Sequence, residues 1–146
     1  MRRAYAVVLA SIVLAGCGGS NGSRLTREQY AAKADAVCQK YKQKSDPLSS
    51  PTTLHGLASV ADRLLPLLHD ARGELRALRP PADEQATANE WLGAFDVIVD
   101  DVKKIRDSAK AGDRAGVGTA ATRAQRHNGR ANELAAQLGM TVCSKN

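Results

Sequence analysis

The sequence predicts an all-α protein, an up-down four-helix bundle behind a cleavable N-terminal export signal. Three observations carry that prediction. Apolar residues recur in steps of three and four through most of the chain, the spacing that lines one face of a helix. Helix caps, prolines and glycines punctuate that pattern into four segments joined by short loops, and no stretch alternates with the period of two that a strand needs.

The chain opens with Arg2 and Arg3, followed by an uncharged and nearly all-apolar run from Ala4 to Ala15 (AYAVVLASIVLA). Twelve residues of helix span about 18 Å, short of the roughly 30 Å hydrocarbon core. This is the length and charge layout of a secretory signal, and a short uncleaved anchor helix is the rival. The run ends in Leu14-Ala15-Gly16-Cys17, which looks like a bacterial lipobox. On that reading residues 1–16 are removed, and Cys17 carries acyl chains such as palmitate on its thiol and its freed amine. Two or three chains anchor a protein stably where one binds only marginally. Residues 17–24 comprise the lipidated cysteine and a polar, glycine-rich tether, whose typical end-to-end distance is about 15 Å. The expected address is the extracytoplasmic face of the cell membrane. No other stretch approaches 18 apolar residues.

Residues 25–146 form the bundle. Removing Arg2 and Arg3 lowers the net charge from +6 to +4, a mild bias that gives no nucleic-acid footprint. After cleavage the aromatics are Tyr30, Tyr41, Trp91 and Phe95, too few for carbohydrate platforms or base-stacking surfaces. Thr26 and Gln29 match a capping box, and Tyr30, Ala34, Val37, Cys38 and Tyr41 follow at helical spacing to about Ser45. Thr52 or Thr53 caps the second helix, whose seam is Leu54, Leu57, Ala61, Leu64, Leu68, Ala71, Leu75 and Leu78. Pro66 is expected to kink it by removing one amide donor. Pro80 and Pro81 end it, and a third helix is expected to begin near 81–83, with Trp91, Phe95, Ile98, Val102, Ile105 and Ala109 on its inner face. Gly112 closes that helix and Asp113 caps the fourth, whose inner face is Val117, Ala120, Ala124, His127, Ala131, Leu134 and Leu138 before the C-cap Gly139.

With Cys17 lipidated, Cys38 and Cys143 remain. In an oxidising compartment two such cysteines favour a disulfide over a pair of buried thiols. Neither lies in a CxxC or CxxCH, so redox-motif and haem-attachment readings lack support.

At this point the chain resembles a group of small helical lipoproteins and exported domains of high-GC, actinobacterial-type bacteria that have no assigned activity. The residues that carry the resemblance are Leu25-Thr-Arg-Glu-Gln-Tyr through Ala34-Asp-Ala-Val-Cys38, then Leu75-Arg-Ala-Leu-Arg-Pro-Pro-Ala-Asp83, then Leu138-Gly-Met-Thr-Val-Cys143. It covers essentially the whole mature chain, and the paired cysteines are its most specific element. The resemblance implies the bundle and the bridge; it implies no substrate.

Candidate chemistry is sparse. His55, His69 and His127 are the only histidines, and no ExxH or HExxH pairs them with a carboxylate, so no metal is expected. His127 reads first as a hydrogen-bonded seam histidine, with pocket lining or axial haem ligation as the functional alternatives. Asp96, Asp100 and Asp101 stack carboxylates a turn apart and need compensation. Lys103, Lys104 or the stripe Arg123, Arg126 and Arg130 would supply it, and calcium or a basic partner is the alternative. That stripe is the best partner-facing feature, placed to rest on anionic lipid or to hold an anionic ligand, and a surface face pairing with the third helix is the preferred plain reading. There is no GxSxG, P-loop or SxxK, so no enzyme and no cofactor are expected. The leading expectation is a non-enzymatic domain that binds another envelope component by a helix face. The alternative is a small-ligand or cofactor carrier with a pocket near Tyr41, Trp91, Phe95 and His127, and an envelope hydrolase ranks third.

Overall fold

The computed structural model describes residues 23–48 and 50–145. The expected export signal, the expected lipidation site Cys17 and most of the expected tether therefore lie outside the described residues. Four helices follow one another: α1 (Arg27–Ser45), α2 (Leu54–Ala77), α3 (Gln85–Lys110) and α4 (Arg114–Gln137), with a short 3-10 turn, η1 (Cys143–Lys145), in the tail. The protein is an all-α four-helix bundle, as the periodicity predicts.

Local chemistry sets most of the ends. The Thr26 hydroxyl accepts from the Gln29 amide while the Gln29 side chain accepts from the Thr26 amide, completing the capping box. Thr53, not Thr52, caps α2 by accepting from the Gly56 amide at 3.0 Å. Asp113 caps α4 in the same way through Gly116. Gly112 and Gly139 hold positive φ at the ends of α3 and α4, where a side chain would be strained. α2 runs unbroken through Pro66, whose ring is on the exposed side. The third helix starts later than the sequence suggests. Residues 82–84 form a turn, because Glu84 points inward to Arg27 of α1 rather than along its own helix.

Two glycines of α4 make opposite predictions. A Cβ on Gly129 would meet nothing within 4 Å, so Gly129→Ala is expected to stabilise the protein by about 0.5–1 kcal/mol through helix propensity. A Cβ on Gly116 would collide with the Asp113 carboxylate and lie 2.7 Å from the Ser108 hydroxyl. Displacing Asp113 loses a cap worth about 1 kcal/mol, which cancels the propensity gain. Thermal unfolding of the two alanine variants checks the contrast, and equal gains would refute it.

Hydrogen bonds between remote segments fix the topology. The Leu25 amide donates to the Arg79 carbonyl at 2.9 Å, and the Arg27 guanidinium donates to the Gln137 carbonyl at 2.5 Å. The start of α1, the end of α2, the start of α3 and the end of α4 therefore meet at one end, so successive helices run antiparallel. α3 lies along α2 on one side and α4 on the other, whereas α1 meets α2 over a shorter stretch. Buried alanines at 120, 131 and 135 let α4 approach its neighbours closely.

The core is unevenly filled. At the end where the chain enters, Tyr30, Leu75, Trp91, Leu134, Leu138 and Met140 are almost wholly buried together. Farther along, the seam residues Leu57, Leu64, Ile98, Val102, Ile105 and Val117 are only half-buried. α1 has 19 residues against 24 to 26 in the others, so it closes one part of the bundle and leaves the rest more open.

Candidate functional site

Where the filled core gives way, the helices part around an apolar cleft of about 210 Å³, partly open to solvent. α1 contributes Val37, Cys38 and Tyr41, and α2 contributes Leu64, Leu68, Ala71 and Leu75. Trp91, Phe95 and Ile98 of α3 and Ala131 of α4 complete the apolar wall, with Cys143 from the tail. Three of the four aromatics among the described residues thus share one cleft. Trp91 is 2% exposed, so its ring forms the deep wall.

The rim is polar. Lys42 and Ser45 stand at the end of α1, opposite Asn128 and Asn132 of α4. Lys42 reaches Asp46 at 2.8 Å, Ser45 donates to the Lys42 carbonyl, and both asparagines have interactions of their own. Tyr41 donates its hydroxyl to Glu74 at 2.7 Å, and Lys40 donates to the same carboxylate oxygen at 2.6 Å. Those bonds from Lys40 and Tyr41 hold the Glu74 carboxyl below its ordinary range. The Lys44 and Lys40 ammonium groups lie 4.7 and 5.1 Å from the Tyr41 ring centroid.

The Cys38–Cys143 disulfide is formed and makes part of the cleft wall. Asp35, one turn before Cys38, holds the tail against α1. Its carboxylate accepts from the amides of Thr141, Val142 and Cys143 at 2.7 to 3.0 Å and from the Thr141 hydroxyl. Burial raises the Asp35 pKa, but these donors outweigh it and the net shift is downward. Sequence reasoning missed Asp35 in this role. The available signal was its position, since a residue three before a bridged cysteine shares its face.

A second cluster lies between α3 and α4. Asp101 is 1% exposed and accepts from Arg123 Nε at 2.6 Å and His127 Nδ1 at 2.5 Å. Burial alone would raise the Asp101 pKa, yet the bonds from His127 and Arg123 bring it below the usual value. His127 therefore faces α3 and does not line the cleft. One residue further along, Asn128 does, because each step turns the helix by about 100°. Arg130 donates to Glu90 at 2.5 Å and to Glu133, leaving Arg126 as the member of the stripe without an ion pair among the described residues. Asp96 is compensated from α2, by Arg72 and Arg76, and Asp100 by Lys103. His55 and His69 are exposed, and no cluster of metal-ligating side chains occurs among the described residues. None of the described helices is long and apolar enough to cross a membrane.

Comparison of the chain with protein-family models, with curated proteins and with solved structures finds no significant match. The cleft is therefore read from its own geometry.

Proposed function

We propose that the protein is a lipoprotein, anchored through Cys17 on the extracytoplasmic face of the cell membrane, whose bundle carries a small apolar ligand in this cleft. One observation carries the ligand reading: Tyr41 of α1 meets Trp91 and Phe95, one turn apart on α3, around an apolar space of about 210 Å³. An apolar cavity of about 150 Å³ is dry and accepts benzene, so this space suits a single ring or a short alkyl chain. The apolar wall supplies affinity and the polar rim orients the solvent-facing end of the ligand. Binding by a helix face draws less support, because two of the three stripe arginines are engaged within the bundle. The lipobox supports the anchor and the address.

Trp91 is the single tryptophan of the chain and a built-in reporter. Titration with alkylbenzenes and medium-chain alcohols is expected to shift its emission saturably. Ala71→Phe, which fills the cleft from α2, is expected to abolish that response while the helical circular dichroism persists. A wild-type protein with no saturable response would refute the carrier. For the anchor, Cys17→Ala is expected to abolish incorporation of labelled palmitate, and persistence of the label would refute it.

A further inference from the structure

We propose that residues 39–45, the last two turns of α1, are a hinged cover for the cleft, latched by Glu74. The observation is an asymmetry along α1. Up to Cys38 the helix is held by Arg27 on Glu84 and on the Gln137 carbonyl, by Asp35 on the tail amides and by the disulfide. Beyond Cys38 the polar bonds to another helix among the described residues are those of Lys40 and Tyr41, and both end on the same oxygen of Glu74. Tyr41, 8% exposed, also packs against the cleft, which it walls together with the rim residues Lys42 and Ser45. The Glu74 and Lys40 side chains are 41% and 47% exposed, so water competes for that bond.

A covalent pivot at Cys38 followed by a single latch, exposed at Lys40 and part-buried at Tyr41, is the mechanical layout of a lid. The disulfide prevents α1 from leaving as a unit, and breaking the Glu74 contacts frees Tyr41 and the rim residues Lys42 and Ser45 together. Opening would expose Trp91, admit the ligand and enlarge a space that in the closed form suits one ring.

This inference rests on the cleft being the binding site, yet its test uses no ligand. Acrylamide quenching of Trp91 in the purified full-length chain reports access to the cleft. Glu74→Ala and Tyr41→Phe are each expected to raise the quenching constant roughly twofold or more, as expected when a local opening is favoured. Combining them should add little, since they remove one latch. Amide hydrogen exchange of residues 39–45 should accelerate, with residues 30–37 unchanged. Thr26→Ala frays the pinned end of α1 and is expected to leave the quenching constant at its wild-type value. Wild-type quenching in both latch variants would overturn the lid, and so would an equal rise in Thr26→Ala, which would mark general loosening. If quenching behaves as expected while Trp91 shows no saturable response to ligands, the lid stands and the carrier reading fails.

Discussion

Replacing both Cys38 and Cys143 by alanine is expected to lower the stability of the protein by about 4–5 kcal/mol. The bond links residues 105 apart in sequence, so in the chain-entropy account its loss frees most of the unfolded chain. Bundles of this size have about 5–15 kcal/mol in total, which makes this a large share. The melting temperature should fall by about 10–20 °C. The tail should not detach completely, because the Asp35 carboxylate still accepts the amides of residues 141–143. Urea unfolding with and without reductant checks the size of the effect. A wild-type midpoint indifferent to reductant, with the bridge shown by mass to be broken, would refute it.

The double variant Arg123→Met, His127→Leu is expected to cost about 3–5 kcal/mol at neutral pH, since it strands the buried carboxylate of Asp101. Changing Asp101 to leucine in the same background should recover most of that loss, because an apolar trio of similar volume replaces the charged one. The pH dependence should also change sign. In the wild type the folded pKa of Asp101 lies below its unfolded value, near 3.9. Its contribution is therefore complete above the unfolded pKa and disappears as pH falls through the folded one. Without its donors, burial lifts the folded pKa above the unfolded value. The variant then gains stability as it is acidified from neutral pH towards the unfolded pKa. Chemical unfolding at pH 7, 5 and 4 measures this, and parallel curves for variant and wild type would contradict it.

How far these features are legible in the sequence depends on the range of the interaction that makes them. Thr26 with Gln29, and Asp113 with Gly116, act within one helical turn, so their caps follow from spacing alone. The beginning of α3 does not. Asp83 and Glu84 look like first-turn acids, but Glu84 is drawn to Arg27, 57 positions away, and the helix starts after it. The charges of α3 show the same limit. Local rules suggested Lys103, Lys104 or the arginines of α4 as partners for its three aspartates. Lys103 serves Asp100 and Arg123 serves Asp101, but Arg72 and Arg76 of α2 hold Asp96. For the cleft, scarcity of aromatics singled out Tyr41, Trp91 and Phe95. The seam position of His127 placed it beside them, although its ring turns to Asp101. Glu74 gave no signal, because an acidic residue on a helix face has no visible partner until α1 is docked.

By itself the sequence determined four helices, the caps of α1 and α4, and the pairing of two cysteines, because periodicity, capping and residue count are local or compositional. Only the tertiary structure decided where the bundle is filled and where it opens. That depends on α1 being shorter than its neighbours and pinned at Cys38, so that buried area is concentrated at one end. It also decided which charge meets which, since a helix presents every polar side chain to solvent until a neighbour arrives.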